Sequence, residues 1–312
     1  MGMFVAADIG GTHVRAALYE ADNPQPIAHQ RADTRADEPG AYDRLRAAIQ
    51  TVWPKSGEVL AIGMSSPGPL DPRAGRVLTT PNIPEWHDFP LAPNLSADFH
   101  VPAFLSNDAS LGALGEWKFG AARGHADVLY LTVSTGVGGG VISNNHLVQG
   151  FHGLAAELGH TVLDPDGPLC SCGFAGHLEA FASGPAIARY VTEELERGTK
   201  SSMPRGTRLS AQTVAEAAKH GDALAISAYR RAGEYLGIGV ANFLHAFDPS
   251  IVIIGGGVSR AGPLLFEPFE ASLRRRVFHP RYLENLKIAA ADLGDDVGLL
   301  GALALAQISM HV

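Results

Sequence analysis

Twice in this chain a short apolar run breaks at a glycine turn that carries a threonine, then resumes as a second apolar run. The first instance is Phe4-Val5-Ala6-Ala7-Asp8, then Ile9-Gly10-Gly11-Thr12, then Val14 to Tyr19. The second is Val128 to Val133, then Ser134-Thr135-Gly136-Val137-Gly138-Gly139-Gly140, then Val141-Ile142. Short β-prone runs joined through glycine predict antiparallel hairpins. Two such hairpins about half a chain apart predict a duplicated architecture with a cleft between its halves.

The intervening segments alternate in type. Tyr42 to Trp53 has apolar residues at helical spacing. A strand-like pair surrounds Val59 to Met64 and opens into the loop Ser66-Pro67-Gly68-Pro69. Pro81-Asn82-Ile83-Pro84-Glu85-Trp86 reads as irregular. Val101 to Leu105 reads as a strand ending at Ser106-Asn107-Asp108, and Ala109 to Phe119 as a helix. Ala211 to Phe247 reads as mostly helical and is stopped before Pro249. Ile251 to Ile254 has the composition of a buried parallel strand, with Gly255-Gly256-Gly257 and then a helix after it. An Ala/Leu/Gly helix covers Val297 to Ile308. This order is that of an α/β protein.

Several of these motifs suit phosphate and hydroxyl chemistry. Gly10 and Gly11 allow the backbone to approach a polyphosphate, Thr12 adds a hydroxyl donor, and Asp8 at a strand end can hold magnesium. The Thr135–Gly140 glycines are followed by β-prone residues instead of a helix. A dinucleotide fingerprint, and with it an NAD-dependent oxidoreductase, is therefore disfavoured against a phosphate-contacting hairpin. Gly255-Gly256-Gly257 suits a phosphate, the face of a base, or close strand–helix packing. Asn107-Asp108 lies at a strand end, where a carboxylate can take a proton from a hydroxyl; a helix N-cap is the structural alternative. His160, Cys170, Cys172 and His177 fall within eighteen positions and make a tetrahedral zinc set with no open coordination position, hence a structural one.

Composition narrows the class. A chain of 312 residues that is 46% hydrophobic favours two domains over one. Its formal charge, 24 − 32 = −8, opposes a sequence-independent nucleic-acid role, which needs phosphate-neutralising cations. No apolar run reaches the roughly 20 residues that span a bilayer, so no membrane role is expected. No signal peptide is expected, because Met1-Gly2-Met3 lacks a basic segment, and Ala6 breaks the myristoylation pattern. The only cysteines, Cys170 and Cys172, lie too close for an unstrained disulfide and suggest a reduced, cytoplasmic setting.

Taken in order, the motifs resemble the ROK family of repressors, open reading frames and kinases. They are Asp8 to Thr12, Pro67-Gly68-Pro69, Pro81-Asn82 before Trp86, Asn107-Asp108, Thr135 to Gly140, Glu157-Leu158-Gly159-His160, and Cys170-Ser171-Cys172-Gly173 with Gly176. The resemblance runs from about Val5 to the C-terminal helix. It implies an actin-like ATPase (ribonuclease H-like) fold of two lobes: residues 1–118 plus 298–312, and residues 119–297 with the zinc motif. ATP and a sugar would meet in the cleft between them. The implied activity is ATP-dependent phosphorylation of the 6-hydroxyl of a hexose, glucose first. N-acetylmannosamine or N-acetylglucosamine kinase is the alternative. A sugar-sensing repressor is less favoured, because the phosphate hairpin begins within the first dozen residues.

By the same resemblance, Asp8, Gly10, Gly11, Thr12, Thr135 and Gly136 face phosphates and magnesium, and Gly256 and Gly257 face adenosine. Asp108 resembles the family's catalytic base. Asn82, Asn107, Glu157, His160 and Glu179 match positions that bind sugar hydroxyls, and Gly68 lies in the matching sugar-side loop. The family also implies a homodimer or homotetramer. One departure stands out: the family commonly has cysteine where this chain has His177. Arg274-Arg275-Arg276 reads as a solvated helix end. Trp53, Trp86 and Trp117 read as packing residues, Trp86 bracing the Asn82 loop.

Overall fold

The computed structural model describes residues 2–21, 23–34, 40–80 and 83–310. The first half runs β1 (Met3–Ile9), β2 (His13–Glu20), β3 (Ala28–Asp33), α1 (Ala41–Val52), β4 (Val59–Ser66), the short hairpin β5 (Leu70–Asp71) and β6 (Arg76–Val77), α2 (Leu91–Phe99), β7 (Ala103–Asn107) and α3 (Asp108–Phe119). The second half runs β8 (Val128–Val133), β9 (Val137–Ser143), β10 (His146–Leu147), α4 (Glu179–Ala182), α5 (Gly184–Glu196), α6 (Ala211–Lys219), α7 (Ala223–Phe247), β11 (Ile251–Gly255), α8 (Pro263–Arg274), β12 (Lys287–Ala290) and α9 (Val297–Met310).

The duplication expected from the two hairpins is visible in the sheet topology. One five-stranded sheet has the order β3-β2-β1-β4-β7 and the other β10-β9-β8-β11-β12. In both, the first strand pairs antiparallel with the second and parallel with the fourth, and the fourth pairs parallel with the fifth. The fifth strand of each sheet leads to a long helix, α3 in one case and α9 in the other.

The alternation of side chains along β1 explains how the two sheets share a core. Val5, Ala7 and Ile9 point to one face, packing with Leu45 and Ile49 of α1. Phe4 and Ala6 point to the other face, into a central cluster with Leu111 and Leu114 of α3, Tyr130 of β8, Ile253 of β11 and Leu303 of α9. β11 is fully buried, which accounts for its unbroken apolar run.

Each of the two long helices packs on the sheet opposite the one it follows. α3 follows β7 yet lies on β8 and β9, and α9 follows β12 yet lies on β1 and β4. Glycine makes these approaches possible. A Cβ on Gly63 of β4 would stand 1.9 Å from the Ala302 carbonyl oxygen of α9, and one on Gly301 would stand 2.1 Å from that of Leu111.

Several expectations from the sequence are corrected. Val59 to Ser66 is one strand, β4, held between β1 and β7, and not part of a strand pair. The stretch from Ala211 to Phe247 breaks at Gly221, whose φ is 85°, because Asp222 caps a new helix by accepting from the Ala225 N–H at 3.0 Å. After Gly255-Gly256-Gly257 comes a 3-10 turn, Gly257–Ala261, with α8 starting only at Pro263. Arg274, Arg275 and Arg276 are exposed, as expected of a solvated helix end. The three tryptophans pack: Trp53 stacks on Phe99, Trp86 stacks on Phe89, and Trp117 donates to the His125 carbonyl. The backbone N–H of Trp86 also donates to the Ile83 carbonyl beside the Asn82 position; Asn82 itself lies outside the described residues.

Candidate active site

The second glycine turn is shorter than its sequence predicts. Only Ser134, Thr135 and Gly136 form it, and Gly138-Gly139-Gly140 belong to β9. Packing on both faces of that strand is the reason. Added Cβ atoms on Gly138 and Gly140 would stand 2.8 and 2.6 Å from the Cβ atoms of Ala109 and Ala113, on α3. A Cβ on Gly139 would stand 2.6 Å from Leu158 Cγ and 2.6 Å from the Ala156 carbonyl oxygen, on the other face. The glycine stretch of β9 thus admits α3, which begins with Asp108, and the segment that carries Glu157 and His160.

Asp108 sits where β7 gives way to α3. Asn107 caps that helix, its Oδ1 accepting the Ser110 N–H at 2.7 Å, so the capping reading of this pair holds. Asp108 Oδ1 accepts the Ala109 N–H at 2.8 Å. The residue is exposed on one side, and protein crowds its carboxyl on the others. Desolvation pushes the carboxyl above the usual carboxylate range; the Ala109 N–H opposes this, and the negative charges of Asp8 and Glu157 raise it further. Asp8 and Glu157, from two other segments, therefore each lie within electrostatic reach of Asp108.

Asp8 is the penultimate residue of β1, opposite Arg15 in the hairpin register. Arg15 donates to its Oδ2 from Nη2 at 2.6 Å and from Nε at 3.2 Å. The start of α9 also meets this carboxylate: a Cβ on Gly298 would stand 2.7 Å from Asp8 Cγ. Gly10-Gly11-Thr12 is the turn from β1 to β2. It is tied down by Thr34, which donates from Oγ1 to the Gly10 carbonyl at 2.8 Å, and Thr12 is exposed.

The other two glycine turns are neighbours. A Cβ on Gly257 would stand 3.9 Å from Ser134 Oγ, and one on Gly256 would stand 2.4 Å from the Val133 carbonyl oxygen. The φ of Gly256 is 87°, a region open to glycine at little cost. Gly136 lies directly over Glu179, whose Oε2 would be 2.5 Å from a Cβ there. Thr135 is exposed beside it. Gly68 is exposed in the loop between β4 and β5.

Glu157 is exposed, and the residue before it, Ala156, has a φ of 68°. A side-chain-bearing residue there costs about 1–3 kcal/mol and persists only where its surroundings impose it. Leu158–His160 form a 3-10 turn pressed against β9, since a Cβ on Gly159 would stand 1.9 Å from the Val137 carbonyl oxygen.

His160, Cys170, Cys172 and His177 converge, with one potential ligand atom from each lying within 4.8 Å of all the others. Cys172 Sγ is 3.2 Å from His177 Nδ1, the two Nδ1 atoms are 3.4 Å apart, and Cys170 Sγ is 3.8 Å from His160 Nδ1. Tetrahedral bonds of about 2.0–2.3 Å separate neighbouring ligands by roughly 3.3–3.8 Å, so these side chains fit a zinc-sized ion with little movement. Gly173, with a φ of 92°, closes a turn over the two cysteines, its N–H donating to the Cys170 carbonyl at 3.0 Å. Burial pushes the Cys170 thiol up to about 11, and it donates to Glu179 Oε1 at 3.2 Å.

Glu179 is buried and heavily bonded. It accepts from Ser171 Oγ at 2.5 Å, from Cys170 Sγ, and from the Val137 N–H at 3.0 Å. Desolvation alone would raise its carboxyl, but these donors outweigh it and hold it below its ordinary value. It thus ties the cysteine turn to the threonine turn.

Two features of this region escaped the sequence reading. Arg15 was legible in principle, because a two-glycine hairpin sets it opposite Asp8. The strain at Ala156 has no sequence signal.

The chain is similar to known proteins over nearly its whole length. The ROK family model matches residues 4–308. A glucokinase of Thermotoga maritima is 37% identical over 307 residues, which cover 96% of each chain. The ROK hexokinase of Thermus thermophilus superposes with a TM-score of 0.85 at 35% identity, covering 99% of both chains. A ROK glucokinase of Streptomyces griseus, solved with glucose and AMPPNP, gives 0.80 at 34% identity, covering 98% of this chain and all of that one. The two lobes therefore have the actin-like ATPase fold, and the chain belongs to the ROK family.

Proposed function

We propose that this chain transfers the terminal phosphoryl group of ATP to the 6-hydroxyl of glucose. The observation that carries the reading is the convergence at Asp108. An open carboxylate at a helix start senses Asp8, beside the first glycine turn, and Glu157, beside the His160 segment. Phosphoryl transfer needs an acceptor hydroxyl in line with the phosphate and a group to take its proton.

In this reading Asp108 accepts the proton of the sugar's 6-hydroxyl as that oxygen bonds to the γ-phosphorus and the bond to ADP breaks. Its Oδ1 is steadied by the Ala109 N–H, which leaves Oδ2 for the hydroxyl. Gly10, Gly11 and Thr12 on one side, and Thr135 and Gly136 on the other, hold the phosphates, with Gly256 and Gly257 against adenosine. Asp8 would hold magnesium through its remaining oxygen, Oδ1. The ion supplies charge neutralisation on the phosphates when bound.

Asn82, Asn107, Glu157, His160 and Glu179 read the sugar hydroxyls, with Gly68 in the facing loop. Each hydroxyl can donate and accept, so amides and carboxylates suit them. Zinc on His160, Cys170, Cys172 and His177 would be structural, and would fix the ring of His160. We assign residues 1–118 plus 298–312 to one lobe and 119–297 to the other, and expect a cytoplasmic homodimer or homotetramer.

An ATP-coupled assay over glucose, mannose, fructose, N-acetylglucosamine and N-acetylmannosamine tests the proposal. Glucose is expected to give the highest kcat/KM. A higher value for either N-acetylhexosamine would reassign the substrate, and no turnover of any hexose would overturn the reading.

A further inference from the structure

Glu116 is fully buried, carries a carboxylate, and takes no part in the chemistry above. It lies near the end of α3, one residue beyond Gly115, where α3 and α9 cross. A Cβ on Gly115 would stand 3.1 Å from the Val297 carbonyl oxygen and 3.1 Å from the Gly301 nitrogen. The Glu116 carboxylate accepts three backbone N–H groups. Oε2 takes that of Ala121 at 2.8 Å, just past the end of α3, while Oε1 takes those of Asp292 at 2.9 Å and Leu293 at 3.0 Å, on the approach to α9. One side chain therefore fastens both inter-lobe crossovers.

The N-terminal ends of these helices lie at two carboxylates of the site. Asp108 is the first residue of α3, eight residues or roughly 12 Å before Glu116. Gly298 at the start of α9 abuts Asp8. A shift between the helices at Glu116 would move Asp108 relative to Asp8. We infer that Glu116 is a positioning residue for phosphoryl transfer: by clamping the backbone of Ala121, Asp292 and Leu293, it sets the spacing between the proton acceptor and the phosphate-side carboxylate. This rests on the reading of Asp108 as the base.

Full-length Glu116→Gln is the test. Glutamine keeps the shape but turns one acceptor into a donor facing backbone N–H groups. Wild type, Glu116→Gln, Glu116→Asp and Asp108→Ala are compared by thermal melting and by initial rates over glucose and ATP, each well below its own midpoint. Glu116→Gln is expected to lower kcat about 10- to 100-fold, with both KM values within about threefold of wild type, because misplacement by an ångström suffices. Glu116→Asp, which keeps the charge, is expected to fall between the two.

A Glu116→Gln protein that melts lower yet turns over at the wild-type rate would overturn the inference. So would failure of both Glu116 variants to fold, since the clamp would then serve the fold alone. Near-wild-type turnover by Asp108→Ala would remove the base reading itself, an outcome separate from either result at Glu116.

Discussion

Asp108→Ala is expected to lower kcat about 10²- to 10⁴-fold while leaving glucose binding measurable by calorimetry. The acceptor hydroxyl then has no group in place for its proton, whereas the residues proposed to read the other hydroxyls are untouched. Near-wild-type turnover would refute the role. The pH dependence follows from the surroundings of the carboxyl. Desolvation first, then the charges of Asp8 and Glu157, push it above its ordinary value of 3.8. A base must be ionised, so kcat/KM is expected to fall on the acid side around an apparent pKa above that value. Asp8→Asn removes one repelling charge and should move this limb to lower pH.

The same shift has a stability consequence of defined sign. A carboxyl whose pKa is raised by folding favours the folded state below its unfolded pKa, and this contribution is lost as pH rises through the folded pKa. At neutral pH the ionised Asp108 thus works against the fold. Asp108→Asn should melt above wild type there, and the difference should shrink as the pH falls towards the unfolded pKa.

Metal removal is expected to have the second large effect. Purified without added metal, the protein should contain roughly one zinc per chain, and chelation should lower its melting midpoint markedly, because structural zinc contributes directly to folding. Two thiolates and two histidines neutralise the ion, whereas the family's commoner three thiolates and one histidine leave a net negative charge. His177→Cys should therefore retain zinc, and His177→Ala should lose most of it. Absence of zinc from both the wild-type and His177→Ala preparations would sink the assignment.

The features that were legible in the sequence are those whose physics is local. Two glycine bends between apolar runs marked the repeated hairpins, and the strand-to-helix step at Asn107-Asp108 marked both a cap and a candidate base. Spacing alone gathered His160, Cys170, Cys172 and His177. The missed features depend on contacts distant in sequence. The edge strand β3 alternates half-buried and exposed residues and carries little apolar signal. Pro90 and Pro93 disguised α2, although proline suits a helix entry.

The glycines of β9 read as a turn because their composition is that of one; only the close approach of α3 and of the Ala156–Gly159 segment shows why a strand needs them. Glu116 carried no signal at all. It occupies an ordinary helical position, and its three bonding partners include two that are more than 170 residues away.

In the proposed reading one nucleotide and one sugar share the cleft between the lobes. The most direct measurement is a crystal structure of this chain with glucose and a non-hydrolysable ATP analogue. The terminal phosphate is expected between the Gly10–Thr12 and Thr135–Gly136 turns, with the glucose 6-hydroxyl within hydrogen-bonding distance of Asp108, about 2.6–3.2 Å. A complex with the phosphates bound away from either turn, or with Asp108 beyond reach of every sugar hydroxyl, would contradict it.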